Sequence, residues 1–371
     1  MLRVSCLGNV SWVWKNRLGI AVSLTCFCCA AHIAAAEPAW EVRSKPVRRV
    51  AAVLRVEIEL PNVVADEWQI QACAAPELPS QVDVKSELVP RGEVLKELSP
   101  LGRQMLAGRI AVNSPALQKK LRVEVSHEAT LVSRHVALVQ PGQERAPVQP
   151  LPPSERAVWL ASSRTIDHGS PRFQAWLSRN HLLRRQGEAD LDLARRVFAS
   201  IRENCSYAYS SQMERSASHV CEAGKSDCGG LSVLLVAALR ANQVPARVLV
   251  GRWAHSSKSG EQLEGENYYQ THVIAEFWAD GVGWVPVDMA LGLHKQPPGQ
   301  EFKHFGNDPG NFLALHIDPD LVLDRGRETV RIPWLQGVAY WVTGRGTTDG
   351  PRFKEKWEVT EKPPGKQGKG G

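Results

Sequence analysis

Beyond its first 36 residues the chain has four cysteines, Cys73, Cys205, Cys221 and Cys228. None lies in a Cys-x-x-Cys pair or has histidines at zinc-finger spacing, which argues against a structural zinc site. No run of alternating acids has the spacing of a calcium loop. Neither a metal nor another cofactor is expected. Charge of one sign is also missing. There are 45 Lys and Arg against 39 Asp and Glu, a net +6, and setting aside Arg3, Lys15 and Arg17 leaves 42 against 39, or +3. A balance this mild gives no electrostatic footprint for nucleic acid. No internal repeat is visible, and after residue 36 no apolar run is long enough to span a bilayer.

What is present begins with a basic stretch ending at Arg17 and an apolar run from Leu18 to Ala36. Ala34, Ala35 and Ala36 then offer small residues before Glu37. Residues 1–36 read as a secretory signal, which implies export to the periplasm or the extracellular space. If the signal stays uncleaved, the near-spanning apolar run makes it a membrane anchor instead. Cys6, Cys26, Cys28 and Cys29 leave with the signal. In an oxidising compartment Cys205 and Cys221 can bridge or remain two small hydrophobes; the sequence leaves both open.

From Val50 to about Val139 the pattern has period two. Val53–Leu60, Glu67–Ala72 and Leu121–Ser126 are separated by breakers such as Pro61-Asn62, Pro76 and Pro90-Arg91-Gly92. Residues 40–140 are therefore expected to form an antiparallel, β-sandwich-like domain. Five prolines between 141 and 153 mark a linker, 141–159. Helical periodicity follows, with Leu191, Ala194, Val197, Phe198 and Ile201 on one face. A helix from about Cys228 to Asn242 is apolar nearly all round and belongs at a domain centre. Strands Ala246–Arg252, Thr271–Trp278 and Gly283–Asp288 come next. Residues 160–345 read as a second, α+β domain, and 346–371 as a flexible tail.

The chemistry concentrates in this second domain. Cys228, in Asp227-Cys228-Gly229-Gly230, opens the central helix. There the helix dipole favours thiolate over thiol, and the Cys228 N–H is a free donor for an oxyanion. His272 opens a strand whose hairpin returns to Asp288. With the turn centred on Asp280, paired positions sum to 560 and His272 faces Asp288 directly. A three- or five-residue loop puts both side chains on one face; a two-residue turn puts them on opposite faces.

These residues, with Gln243–Val248, His272–Trp278, Gly283–Asp288 and Phe305-Gly306-Asn307-Asp308, resemble the transglutaminase-like superfamily over roughly 160–320, in the secreted bacterial type. The resemblance implies a papain-related core, in which the helix carrying the cysteine packs on an antiparallel sheet. It also implies that Cys228 attacks an amide carbonyl while His272 manages the proton and Asp288 fixes the imidazole. Ser226 departs from the pattern, since many members have glycine two residues before the cysteine. The family draws its second oxyanion donor from upstream of the cysteine, which makes Tyr207 and Tyr209 candidates. Trp253, Trp278 and Trp284 either wall the cleft or pack the core. Glu276 shares the His272 face, either as a partner of that site or as a ladder residue. The expected function is a thiol hydrolase acting on a peptide or protein amide. The alternatives are an acyl transferase that crosslinks glutamine to amines, less favoured without a calcium loop, and a binding protein on the same fold.

Overall fold

A strict alternation of burial organises the first strands. In β1 (Trp40–Glu59), Val50, Ala52, Leu54, Val56 and Ile58 point inward while Arg55 is exposed. The computed structural model describes residues 39–90, 92–140, 142, 147–256, 262–263, 266–267, 270–294, 296–326 and 328–362. The expected signal segment therefore lies outside the described residues. After β1 come β2 (Val63–Cys73), β3 (Gln81–Val89), β4 (Glu93–Lys96), β5 (Gln104–Ala111) and β6 (Lys120–Leu138). β1 pairs with β6 and β6 with β3, while β2 pairs with β5 and β5 with β4, all antiparallel. The two sheets bury Trp68, Ile70, Leu121, Val123 and Val125 together with the inward residues of β1. Each such apolar side chain contributes roughly 1.5–3 kcal/mol when fully buried.

The segment read as a linker carries a helix, α1 (Pro153–Val158), and beside it Leu151 and Trp159 are buried against Trp278. Next come α2 (Pro171–Arg179), started by Ser170, whose hydroxyl accepts from the Phe173 N–H, and α3 (Asp190–Asn204). The expected stripe of Leu191, Ala194, Val197, Phe198 and Ile201 is buried on α3. β7 (Ser206–Tyr207), α4 (Ala217–Ala223) and β8 (Lys225–Ser226) lead into α5 (Cys228–Ala241), with β7 and β8 forming a short parallel pair. Leu- and Ala-rich, α5 is buried from Gly229 to Arg240. Such a helix is stable only when surrounded.

α5 packs on a four-stranded antiparallel sheet. After β9 (Ala246–Trp253) the chain passes through the small hairpin β10 (Gln262–Leu263) and β11 (Glu266–Asn267), then β12 (Thr271–Ala279), β13 (Gly283–Val287) and the short helix α6 (Met289–Gly292). β14 (Asn307–Asp308) pairs with β6, and β15 (Phe312–Ile317) completes the sheet in the order β13-β12-β9-β15. Val273, Ala275 and Phe277 of β12 enter the core that surrounds α5. The architecture is mixed α/β with antiparallel sheets.

β16 (Leu321–Asp324) and β17 (Thr329–Ile332) form a hairpin, and Leu321 and Leu323 join the core of the first two sheets. The chain then returns to those sheets. β18 (Val338–Gly346) pairs with β2, and β19 (Arg352–Lys362) pairs with β1. The expectation of a tail from 346 is corrected for 352–362; residues 363–371 lie outside the described residues. The strand forms because Trp357 turns inward, 1% exposed, and its indole N–H donates to the Trp253 carbonyl at 2.9 Å. On the outer face, charges on β19 meet those on β1 and β6, with Arg55 bonding both Glu358 and Glu124. The described residues belong to one compact unit.

Candidate active site

Cys228 is the first residue of α5 and is partly exposed. Asp227 caps the helix, its Oδ1 accepting from the Gly230 N–H at 3.2 Å. Arg215 grips the same carboxylate: its Nε lies 2.9 Å from both oxygens and Nη2 2.6 Å from Oδ2. Gly230 is required where it stands. A Cβ there would fall 2.0 Å from Ser226 Oγ and 3.0 Å from Val220 Cγ2. Ser226, the departure from the superfamily pattern, is thus accommodated by a glycine four residues on.

His272 lies on β12 and is 6% exposed. Its Nε2–H donates to Asp288 Oδ2 at 2.7 Å, and Cys228 stands near enough to its ring to favour the charged form. The hairpin register differs from expectation. Ala275 pairs with Val287 and Ala279 with Gly283, so paired positions sum to 562, not 560. The turn is centred on Gly281, whose φ of +75° suits glycine. His272 and Asp288 are therefore not opposite one another. β13 ends at Val287, and Asp288 is the N-cap of α6, with Oδ1 accepting from the Leu291 N–H at 2.9 Å. The three-residue loop keeps the parity, so the side chains still meet.

Burial works against a charged His272, but the Asp288 carboxylate and, to a lesser degree, Cys228 outweigh it and push the imidazole up to about 10. Burial likewise opposes ionisation of Asp288, yet the imidazole holds it below the ordinary carboxylate value. Burial pushes the other three thiols up, Cys73 to about 12 and Cys205 and Cys221 to about 11. All four described cysteines are free, with no Cys205–Cys221 bridge.

The remaining candidates separate. Trp253 stacks on His272, whereas Trp278 and Trp284 pack edge-on with each other beside Trp159. Glu276 is a ladder residue, opposite Arg247 of β9 and Pro286 of β13, and its carboxylate pairs with arginines instead of His272. Fully buried, it accepts from Arg134 of β6 at 2.8 Å and from Arg247 of β9 at 2.6 Å, joining the first sheets to the Cys228 half. Tyr207 and Tyr209 are 41% and 64% exposed. Pairing of β7 with β8 sets Tyr207 opposite Ser226, two residues before Cys228. Among the described residues no group of three or more His, Cys, Asp or Glu is placed to hold a metal.

Three neighbours had no sequence signal. Arg215 is one. Gln336, on the loop before β18, donates from Nε2 to the His272 carbonyl at 2.9 Å and to the Gly251 carbonyl at 2.6 Å. Trp334, on the same loop, stands 3.4 Å from where a Cβ on Gly229 would be.

Residues 180–289, a span that holds Cys228, His272 and Asp288, match the family model described as the transglutaminase-like superfamily. This segment of the chain is transglutaminase-like. Among solved structures the chain is similar to a candidate cysteine protease from Cytophaga hutchinsonii. That likeness is 14% identical, covers 86% of this chain and 92% of the other, and has a TM-score of 0.50. It is also similar to the periplasmic domain of TgpA from Pseudomonas aeruginosa, at 16% identity, 64% and 88% coverage and a TM-score of 0.29. No curated protein matches. At such identities the Cytophaga hutchinsonii likeness is one of fold. Among the described residues no helix is long and apolar enough to cross a membrane.

Proposed function

We propose that the protein is a thiol-dependent amide-bond hydrolase acting on a peptide or protein, with Cys228 as nucleophile, His272 as proton carrier and Asp288 as the group that orients it. One observation carries the reading: a cysteine at the first position of a buried helix lies within electrostatic reach of an imidazole whose Nε2 is held by a carboxylate. A protonated His272 beside Cys228 favours the thiolate. The thiolate sulfur bonds to the amide carbon, and the carbonyl π pair moves to oxygen. The Cys228 N–H donates to that oxyanion, with Tyr207 or Tyr209 as candidate second donor. Collapse breaks the C–N bond as His272 gives its proton to the leaving amine. Neutral His272 then takes a proton from water, whose oxygen attacks the thioester and expels the thiolate, releasing the acid and recharging the imidazole. Asp288 holds the ring throughout. Residues 1–36, read as a secretory signal, support the proposal that this chemistry takes place outside the cytoplasm.

The test is incubation of the mature protein with a fluorogenic peptide amide, with and without an amine acceptor. Release of free acid that is unaffected by the amine and abolished by Cys228→Ala is the expected result. Products carrying the amine would make the protein a transferase. A Cys228 inert to both substrate and thiol reagents would make it a binding protein.

A further inference from the structure

An anionic cap and an anionic nucleophile meet at the start of α5. Asp227 is a good N-cap, since its carboxylate satisfies the Gly230 N–H and suits the positive helix end. The same charge, one residue from Cys228, opposes a thiolate, because neighbouring like charges disfavour ionisation. A serine or asparagine would cap the helix without this conflict.

Arg215 stands where it can resolve the conflict. Its fork lies on both Asp227 oxygens, while Nη1 donates to the Met213 carbonyl at 2.8 Å and Nη2 to the Ser210 carbonyl at 3.2 Å. Those bonds fix the guanidinium in the 210–215 loop. Its Cδ is 3.3 Å from where a Cβ on Gly229 would stand, so the charge is held beside the residue after the nucleophile. The charged and titratable groups around Cys228 are Asp227 at its own cap, Arg215 and Tyr209 from the preceding loop, and His272 on β12 with Asp288 behind it. Burial works against the Arg215 charge, yet Asp227, Cys228 and Tyr209 hold its pKa above the ordinary value.

We infer that Arg215 is a positioning residue for the nucleophile. By pairing with Asp227 it cancels the cap's charge at the Cys228 end of α5, so that one helix end carries both an acidic cap and a thiolate. The inference rests on the reading of Cys228 as the reactive thiol.

The experiment is the rate of Cys228 alkylation by iodoacetamide against pH, read by peptide mass mapping in the mature protein. Asp227→Asn keeps a capping side chain and leaves Arg215 unopposed, so the profile midpoint should move down by about one pH unit. Arg215→Met should move it up by about one unit, and the double variant should return to within roughly 0.3 unit of wild type. A purely structural pair would instead move both single variants in the same direction, and that result overturns the inference. So does an Asp227→Asn profile that stays put or moves up. That variant decides alone if Arg215→Met, which strands a buried carboxylate, does not fold. Failure of the thiol–imidazole reading looks different: the wild-type midpoint would lie at the ordinary thiol value and be unmoved by His272→Ala.

Discussion

The indole of Trp253 lies over the imidazole of His272, with ring centroids 4.2 Å apart and planes inclined by 17°. An aromatic face attracts a cation by about 0.5–2 kcal/mol, more when water is excluded. The stack therefore supports the charged form of His272 and limits ring rotation. Trp253→Leu should lower the His272 pKa and reduce turnover by roughly 2- to 30-fold, whereas Trp253→Phe should retain most of both. Imidazole NMR titration and steady-state kcat check this. A Leu variant unchanged in both would reduce the stack to packing.

The His272–Asp288 pair should also appear in global stability. A histidine raised to about 10 in the fold, against 6.5 as its ordinary value, contributes fully below pH 6.5. That contribution fades as pH rises toward 10. Asp288, held low, contributes above its unfolded value and loses that in acid. Urea midpoints of wild type should thus decline between pH 6.5 and 10 more steeply than those of His272→Gln. Parallel declines would mean that the pair does not stabilise the charged ring.

Above the pH at which Asp288 is protonated, acid sensitivity should come from other groups. His316 is buried with Nδ1 facing the Asp318 carbonyl at 2.9 Å and Nε2 accepting from the Leu335 N–H at 3.4 Å, an arrangement for a neutral ring. Burial holds it down at about 3, and His127 at about 4. Between pH 6.5 and those values the unfolded chain binds the extra protons, so stability falls with pH, by on the order of 3 kcal/mol or more for each ring. His316→Gln should flatten the loss seen by thermal melts from pH 7 to 4. An equally steep loss in that variant would exclude His316 as its source.

Gly230→Ala should destabilise by about 1–3 kcal/mol through its overlap with Ser226. Ser226→Gly in the same chain should recover most of that, leaving the milder Val220 contact. Denaturant midpoints of the two variants measure the difference. No recovery in the double variant would place the strain on Val220.

The parts of the site that follow local rules were legible in the sequence. Period-two runs marked β1, β2 and β6, and the apolar helix that begins at Cys228 marked α5. The hairpin register was not legible, because Asp280 and Gly281 are both plausible turn centres and only the backbone at Gly281 chooses. β19 was read as tail because Trp357 is its one buried residue among exposed Lys and Glu. Arg215 and Gln336 reach Asp227 and His272 from 12 and 64 residues away, with no periodicity to announce them. Glu276 sat on the expected face, but its partners Arg134 and Arg247 belong to two different sheets.

The return of the chain to its first strands has a kinetic consequence. β1 faces β19 through pairs such as Leu54 with Trp357, and β2 faces β18 through pairs such as Ile70 with Tyr340. The first two sheets cannot close until nearly the whole chain is available, since each lacks a border strand that the last residues supply. Contacts this distant in sequence raise contact order and slow folding, because the entropy of closing the long loop is lost before the pairing repays it. During that interval β1 and β2 present open edges to other chains. Refolding should be slow and concentration-sensitive, and a chain ended after residue 345 should aggregate through the β1 edge.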